Sequence, residues 1–145
     1  LNTLLASEPR LEGLVGTHSL QLEEHGWEVI PFGQRVVING VAYVHYFQAC
    51  KGAGAPRYVA SGALAKRAES VVFGHTHKRD FATMVGAGGK HLLGLNTGCF
   101  FEQDMSYAPE IQKDYWWSGV VLLNNVRNGI YDPEFYSMER IKEYA

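Results

Sequence analysis

The sequence has few of the features that would assign a protein to a class at once. Its 145 residues include two cysteines, Cys50 and Cys99, which stand far apart and form no C-x-x-C pair. We therefore expect reduced, partly buried thiols rather than a disulfide framework. No apolar run approaches the length that crosses a bilayer, and the opening residues lack the basic-then-apolar order of a leader. A cytoplasmic location without a membrane partner is the expectation.

No charge of one sign dominates the composition either. The formal net charge is -2, from 13 basic and 15 acidic residues. This balance gives no general electrostatic argument for binding nucleic acid or an anionic membrane, although a nucleic-acid substrate held locally by a metal ion stays open. The length suits a single domain over residues 1–145 with a real hydrophobic core.

What the sequence does contain is a series of strand signals. The clearest is RVVINGVAYVHYF, in which Asn39-Gly40 separates two β-branched runs, the chemistry of a tight type I′ hairpin turn. We predict the two strands of this hairpin over Arg35–Ile38 and Val41–His45. A short apolar strand over Ser70–Gly74 is of the kind that is buried on both faces of a sheet.

The other patterns complete a fold in which strands outnumber helices. They predict helices over residues 19–25, closed by Gly26, and over 58–68; a half-buried strand over 27–31; two strands joined at Gly88-Gly89; a loop from residue 96 to about 114; and a last hairpin turning near Asn128-Gly129. We therefore predict a mixed α/β or α+β class with a large sheet content.

Histidines stand at the ends of two predicted strands. His75 and His77 follow Ser70–Gly74 in the string VVFGHTHK, and His45 ends the apolar strand in VAYVHYF. Gly74 would let the chain leave its strand sharply, so that both following imidazoles face one cavity. Ligand sites form at the carboxyl ends of strands in open α/β sheets, and histidine is the commonest metal ligand. For each histidine alone, a hydrogen-bonded structural role is the alternative.

The string VVFGHTHK resembles the G-H-x-H signature of the calcineurin-like metallophosphoesterases. Neighbouring features follow in that family's order: GWEVIPFG, a hairpin ending in the histidine of VAYVHYF, a helix, the G-H-x-H, a strand pair and the segment LNTGCFFEQD. The resemblance covers nearly the whole chain from about Gly26. It implies a layered β-sandwich with flanking helices.

The resemblance also implies a site that holds two divalent metal ions bridged by an aspartate and a solvent molecule. Carried over by position, His45 and His75 would bind one metal and His77 the other. Imidazole with carboxylate suits manganese, iron, zinc or nickel alike. The implied activity is hydrolysis of a phosphomonoester or phosphodiester by metal-activated water, and the substrate is a phosphorylated small molecule, a phosphoprotein or a nucleic acid.

The chain departs from this family in its acidic residues. The family's earlier motifs, D-x-H, G-D and G-N-H-[DE], are missing, and no aspartate precedes Asp80. We therefore expect the carboxyl-terminal portion of such an enzyme, with the missing aspartate ligands supplied by a preceding segment or another chain. Three imidazoles alone carry no negative charge to hold two cations together. The alternative is a non-catalytic binding domain that retains the fold and at most a weak metal site.

Three further residues are candidates for supporting roles. Asp80 and Arg79, directly after the histidines, could contact substrate or orient a ligand histidine, and a solvated ion pair explains them equally well. Asn96 occupies a predicted loop near the expected site, where a turn-forming role is also open. Cys99 and Ser106 have no evident base partner, so no covalent nucleophile is predicted.

Overall fold

The structure is a computed structural model that describes residues 20–31, 33–46, 58–101 and 115–144. The chain divides into two compact units, Leu1–Pro31 and Phe32–Ala145. Most of the predicted loop after residue 96, with Ser106, lies outside the described residues, as does Cys50. None of the described helices is both long and apolar enough to cross a bilayer.

In the first unit, the described residues form turns rather than the predicted helix and strand. Residues 21–26 are a series of turns, closed by Gly26 at φ 79°. The Gly26 amide donates to the carbonyl of Glu23 at 3.0 Å and the Trp27 amide to that of Leu22 at 2.9 Å, the two bonds of a Schellman closure. The strand predicted over 27–31 is wrong. An alternating pattern becomes a strand only beside a pairing neighbour, and none of the described strands pairs with it.

The described residues of the second unit form seven strands and two helices. The strands are β1 (Val36–Ile38), β2 (Val41–Val44), β3 (Ser70–Phe73), β4 (Arg79–Val85), β5 (His91–Thr97), β6 (Gly119–Arg127) and β7 (Ile130–Ser137). The helices are α1 (Val59–Arg67) and α2 (Met138–Lys142), and a 3₁₀ turn at Ala87–Gly89 connects β4 to β5. The predicted hairpins are therefore confirmed, and the helix near 58–68 and the apolar strand at 70–74 are confirmed within one residue at each end.

Five strands form one mixed sheet in the order β1-β2-β3-β5-β4. The three inner strands β2, β3 and β5 run parallel, whereas β1 and β4 pair antiparallel at the two edges. β6 and β7 form a separate antiparallel hairpin. All four residues of β3 are buried, because this strand lies at the centre of the sheet and is covered on both faces.

Two apolar clusters cover the two faces of the five-stranded sheet. On one face, Val59, Ala63 and Leu64 of α1 pack on β3 and β5. On the other face, the β6–β7 hairpin packs through Tyr131, which is 2% exposed, on a cluster that includes Val41 and Leu95. A strand-rich mixed α/β fold with layered sheets, as predicted, is confirmed.

The turns of the two hairpins touch each other. Asn39 and Gly40 have φ values of 50° and 81°, and Asn128 and Gly129 have 51° and 82°, as type I′ turns require. The Gly129 amide donates to the carbonyl of Asn39 at 2.8 Å. A Cβ atom on Gly40 would lie 2.7 Å from the nitrogen of Gly129. The two layers therefore meet at Gly40 and Gly129, where the opposite turn leaves too little room for a Cβ atom.

We predict that Gly40→Ala destabilises the fold more than Gly88→Ala does. Gly88 has a similar φ of 70°, but no described atom lies within 4 Å of its added Cβ, so this variant measures backbone strain alone, about 1 kcal/mol. Gly40→Ala adds the clash with Gly129, for a total of about 2–4 kcal/mol. Urea unfolding checks both free energies, and equal costs would show that the turns do not touch.

Candidate functional site

The parallel strands end together at one edge of the sheet. In the register, Val44 of β2 lies opposite Phe73 of β3, and Phe73 lies opposite Asn96 of β5. The Gly74 amide donates to the carbonyl of His45 at 3.2 Å, which extends the β2–β3 pairing one step beyond the strands. The residues that follow β2 and β3 therefore meet beside the end of β5.

His45 and His75 are in direct contact at this edge. The Nε2 atom of His45 and the Nδ1 atom of His75 share a hydrogen bond of 3.2 Å, in which one of the two nitrogens donates and the other accepts. The ring centroids are 5.2 Å apart and the rings are nearly perpendicular, at 78°. Both side chains are exposed. The structure thus brings together the two histidines that the resemblance implies for one metal.

His75 lies at the apex of a strained turn. The amide of Thr76 donates to the carbonyl of Gly74 at 2.9 Å, and His75 between them has φ 71°, the combination of a positive-φ γ-turn, which is rare and strained. His77 also has a positive φ, 60°. Gly74, expected to provide the sharp exit, does not have a positive φ. The left-handed residues are the histidines themselves, at a cost on the order of 1–3 kcal/mol each.

His77 lies in an aromatic setting beside the pair. Its ring centroid is 4.6 Å from that of Trp116 and 5.2 Å from that of Phe101, both edge to face. Burial lowers the pKa of His77, and the neighbouring charges of His75 and His45 lower it further. His77 is therefore close enough to interact electrostatically with both, and its lowered pKa favours the neutral form in which an imidazole can bind a metal.

Asn96 is a residue of strand β5 and not of the loop that the sequence predicted. It is 0% exposed, and its Nδ2 donates to the Thr76 hydroxyl between the two left-handed histidines. Its Oδ1 is buried without a hydrogen-bond partner among the described residues. The strand is longer than predicted because Asn96 pairs on both sides, with Phe73 and Asp80.

The side-chain contacts that the structure gives for Asp80 and Arg79 are with helix α1 and with aromatic side chains near strands β6 and β7. The Asp80 carboxylate accepts a hydrogen bond from the Ala60 amide at 2.8 Å, at the first turn of α1, where a negative charge is stabilised by the unpaired amides and the helix dipole. The Arg79 guanidinium lies over the rings of Trp117 and Phe135, 5.1 Å from each centroid. These contacts do not involve the three histidines.

The two ring nitrogens of His45 and His75 hydrogen-bond each other in this structure, and their separation is also one that two ligands of a single divalent cation could have. Two nitrogens bound at 2.0–2.1 Å to one metal are separated by roughly 2.9–3.4 Å, from a right angle to a tetrahedral angle. The 3.2 Å between Nε2 of His45 and Nδ1 of His75 lies in this range. In the described ranges, however, no three His, Cys, Asp or Glu side chains are placed to hold one ion. Further ligands would have to come from other residues.

Sequence reasoning missed several neighbours of the histidines. The ring of Tyr46 lies 4.6 Å from that of His75, and Thr76 is the residue that Asn96 holds. Tyr46 and Thr76 adjoin the histidines in the chain, so adjacency was a usable signal. Nothing local marks Phe101 or Trp116, which reach His77 through tertiary packing.

Comparison with known proteins leaves the family open. No protein-family model matches the sequence, and no curated protein does. Among solved structures, a single-mutant form of Vps29 from Entamoeba histolytica matches with a TM-score of 0.36 and 18% identity. The match covers 72% of this chain and 59% of that one, so this chain spans about three fifths of the other's length. A likeness this distant bears on neither the site nor the activity.

We predict that Asp80 stabilises the fold and does not support metal binding. Asp80→Ala removes the acceptor from the first turn of α1 and should cost about 1 kcal/mol of unfolding free energy, with metal affinity unchanged. Asp132→Ala is the control, since that carboxylate makes an exposed side-chain bond to Asn125. Urea unfolding and a metal titration check this. Loss of metal affinity at full stability would instead place Asp80 in the site.

We predict that Cys99 is a slow nucleophile. Burial raises the pKa of its thiol, although hydrogen bonds from Ser118 and Phe101 oppose this, and only the thiolate reacts with alkylating agents. In a Cys50→Ser background near pH 8, iodoacetamide should label the folded chain more slowly than the urea-unfolded chain. The difference should shrink as the pH rises through the thiol's pKa. Equal rates near pH 8 would contradict the assignment.

Proposed function

We propose that this chain belongs to a metal-dependent phosphoesterase that hydrolyses a phosphomonoester or phosphodiester through a metal-activated water. The observation that carries the proposal is the 3.2 Å separation between ring nitrogens of His45 and His75 at the ends of two parallel strands. It is supported by His77 close by and by the sequence order around VVFGHTHK. Strand ends are where ligand sites of such sheets form.

In this proposal the three histidines bind and orient two divalent metal ions. His45 and His75 would hold one metal once their mutual hydrogen bond is given up, and His77 would hold the other. Divalent ions, when bound, lower the pKa of a bound water and neutralise charge on phosphoryl oxygens. Manganese, iron, zinc and nickel all suit imidazole with carboxylate. Acidic ligands come from residues outside the described ranges or from another chain.

The protein's own residues supply positioning around this centre. The His45–His75 contact fixes the direction of two ligand nitrogens, and Trp116 and Phe101 limit the rotation and hydration of the His77 ring. The net charge of -2 selects no substrate class. A phosphorylated small molecule, a phosphoprotein and a nucleic acid are therefore all candidates.

We predict that metal binding depends on the three histidines and not on a fourth. His45→Ala, His75→Ala and His77→Ala should each weaken Mn²⁺ binding by at least the roughly 10–100-fold that loss of an outer-shell partner costs. His91→Ala is the matched control, because His91 is an exposed residue at the start of β5. Calorimetric titration and metal analysis give the affinities. Hydrolysis of an aryl phosphate monoester and diester with added Mn²⁺ gives the activity.

The same measurements separate the proposal from its alternative. Hydrolysis that requires the three histidines, in this chain or in one extended at its amino terminus, supports the enzyme. Saturable metal binding without hydrolysis in either chain supports a non-catalytic binding domain. Equal Mn²⁺ affinity in the wild type and the His45→Ala variant would overturn the metal site itself.

A further inference from the structure

We propose that Asn96 is a positioning residue that holds the His75-Thr76-His77 turn in its left-handed conformation and thereby directs both histidine rings. The inference rests on the proposed function only for its metal-binding readout. Its basis is a contact outside the three histidines, between a buried amide in β5 and the hydroxyl of Thr76.

The turn needs support from outside because two of its three residues have an unfavourable backbone conformation. His75 and His77 have φ values of 71° and 60°, a region that L-residues other than glycine occupy infrequently. Such conformations persist where the surrounding structure fixes them. Thr76 stands between the two. Its amide is bound by the carbonyl of Gly74 and its side chain by Asn96.

Asn96 is an unusual choice for its location unless it has this task. It lies at 0% exposure beside Leu95, in a strand whose residues 92–96 are all buried. Its Oδ1 has no hydrogen-bond partner among the described residues, and a buried polar atom without a partner destabilises the folded state. Turning the amide over would exchange donor and acceptor but keep the bond to Thr76. An apolar residue would suit the core better, so the bond to Thr76 is what the amide contributes.

The other contacts of this turn hold its two histidines and not Thr76; the Trp117 amide, for example, donates to the His77 carbonyl at 2.9 Å. His45 and Tyr46 contact the ring of His75, and the aromatic rings of Trp116 and Phe101 contact that of His77. These contacts orient individual rings and do not reach the residue between them. Asn96 is placed to fix the spacing of the two histidines by holding Thr76 from inside the sheet.

The test uses the full 145-residue chain and four variants: Thr76→Val, Thr76→Ser, Asn96→Leu, and the double variant Thr76→Val with Asn96→Leu. Valine keeps the shape of threonine without its hydroxyl, and serine keeps the hydroxyl. Leucine removes the buried amide. NMR backbone shifts and one-bond Cα–Hα couplings report whether His75 and His77 stay left-handed. We expect Thr76→Val and Asn96→Leu to release both residues, Thr76→Ser to retain them, and Asn96→Leu to unfold at an equal or higher urea concentration.

Mn²⁺ affinity is the second readout. Thr76→Val and Asn96→Leu should each weaken Mn²⁺ binding about 10–100-fold, as loss of an outer-shell partner does. Thr76→Ser should keep the wild-type affinity. The double variant should be no worse than either single one, because both remove the same bond. Left-handed His75 and His77 in both Thr76→Val and Asn96→Leu would overturn the inference. If the wild type binds no Mn²⁺, the proposed function fails while the backbone readout still decides this one.

Discussion

The parallel pairing of β2, β3 and β5 is the constraint on which the candidate site depends. The register sets Val44 against Phe73 and Phe73 against Asn96, so the first residues beyond β2 and β3 lie together next to the end of β5. A slip of one residue between β2 and β3 would turn every side chain of one strand to the opposite face. Helix α1 and the β6–β7 hairpin each bury one face of this sheet, and this double burial holds the register against such a slip.

The buried core stabilises the folded state, whereas the conformation of the candidate site destabilises it. Fully burying side chains such as Leu64, Leu92 and Leu95 stabilises the folded state by about 1.5–3 kcal/mol each. The site offsets part of this free energy. Two left-handed histidines and a buried amide oxygen without a described hydrogen-bond partner each destabilise the folded state. Strain of this kind persists only on a rigid support, and His75, His77 and Asn96 all lie within a few residues of the ends of β3 and β5. Its location at the carboxyl edge coincides with the place where sheets of this kind bind ligands.

The parts of this fold that were predictable are those with local causes. Asn39-Gly40 and Asn128-Gly129 specify their hairpins because few other residue pairs take two successive positive φ values. The short apolar run in the sequence predicted strand β3. The convergence of His45 and His75 followed from their positions after two strands. The rest depends on tertiary pairing. Residues 27–31 alternate like a strand but have no described partner, Asn96 is drawn into β5 by two neighbours, and Asp80 is directed to α1 by packing that no spacing reveals.

Charge decides how many cations the histidines can hold. Two divalent ions at the 3.5–4 Å of a two-metal site repel each other by about 17–19 kcal/mol at an effective dielectric constant near 20. Neutral imidazoles do nothing to offset this. No aspartate precedes Asp80 in the sequence, and the Asp80 carboxylate is engaged at the start of α1. Among the described residues, no third His, Cys, Asp or Glu side chain joins His45 and His75 to hold even one ion. A second beside His77 requires carboxylates from outside the described ranges, and their presence or absence separates the phosphoesterase from the binding domain.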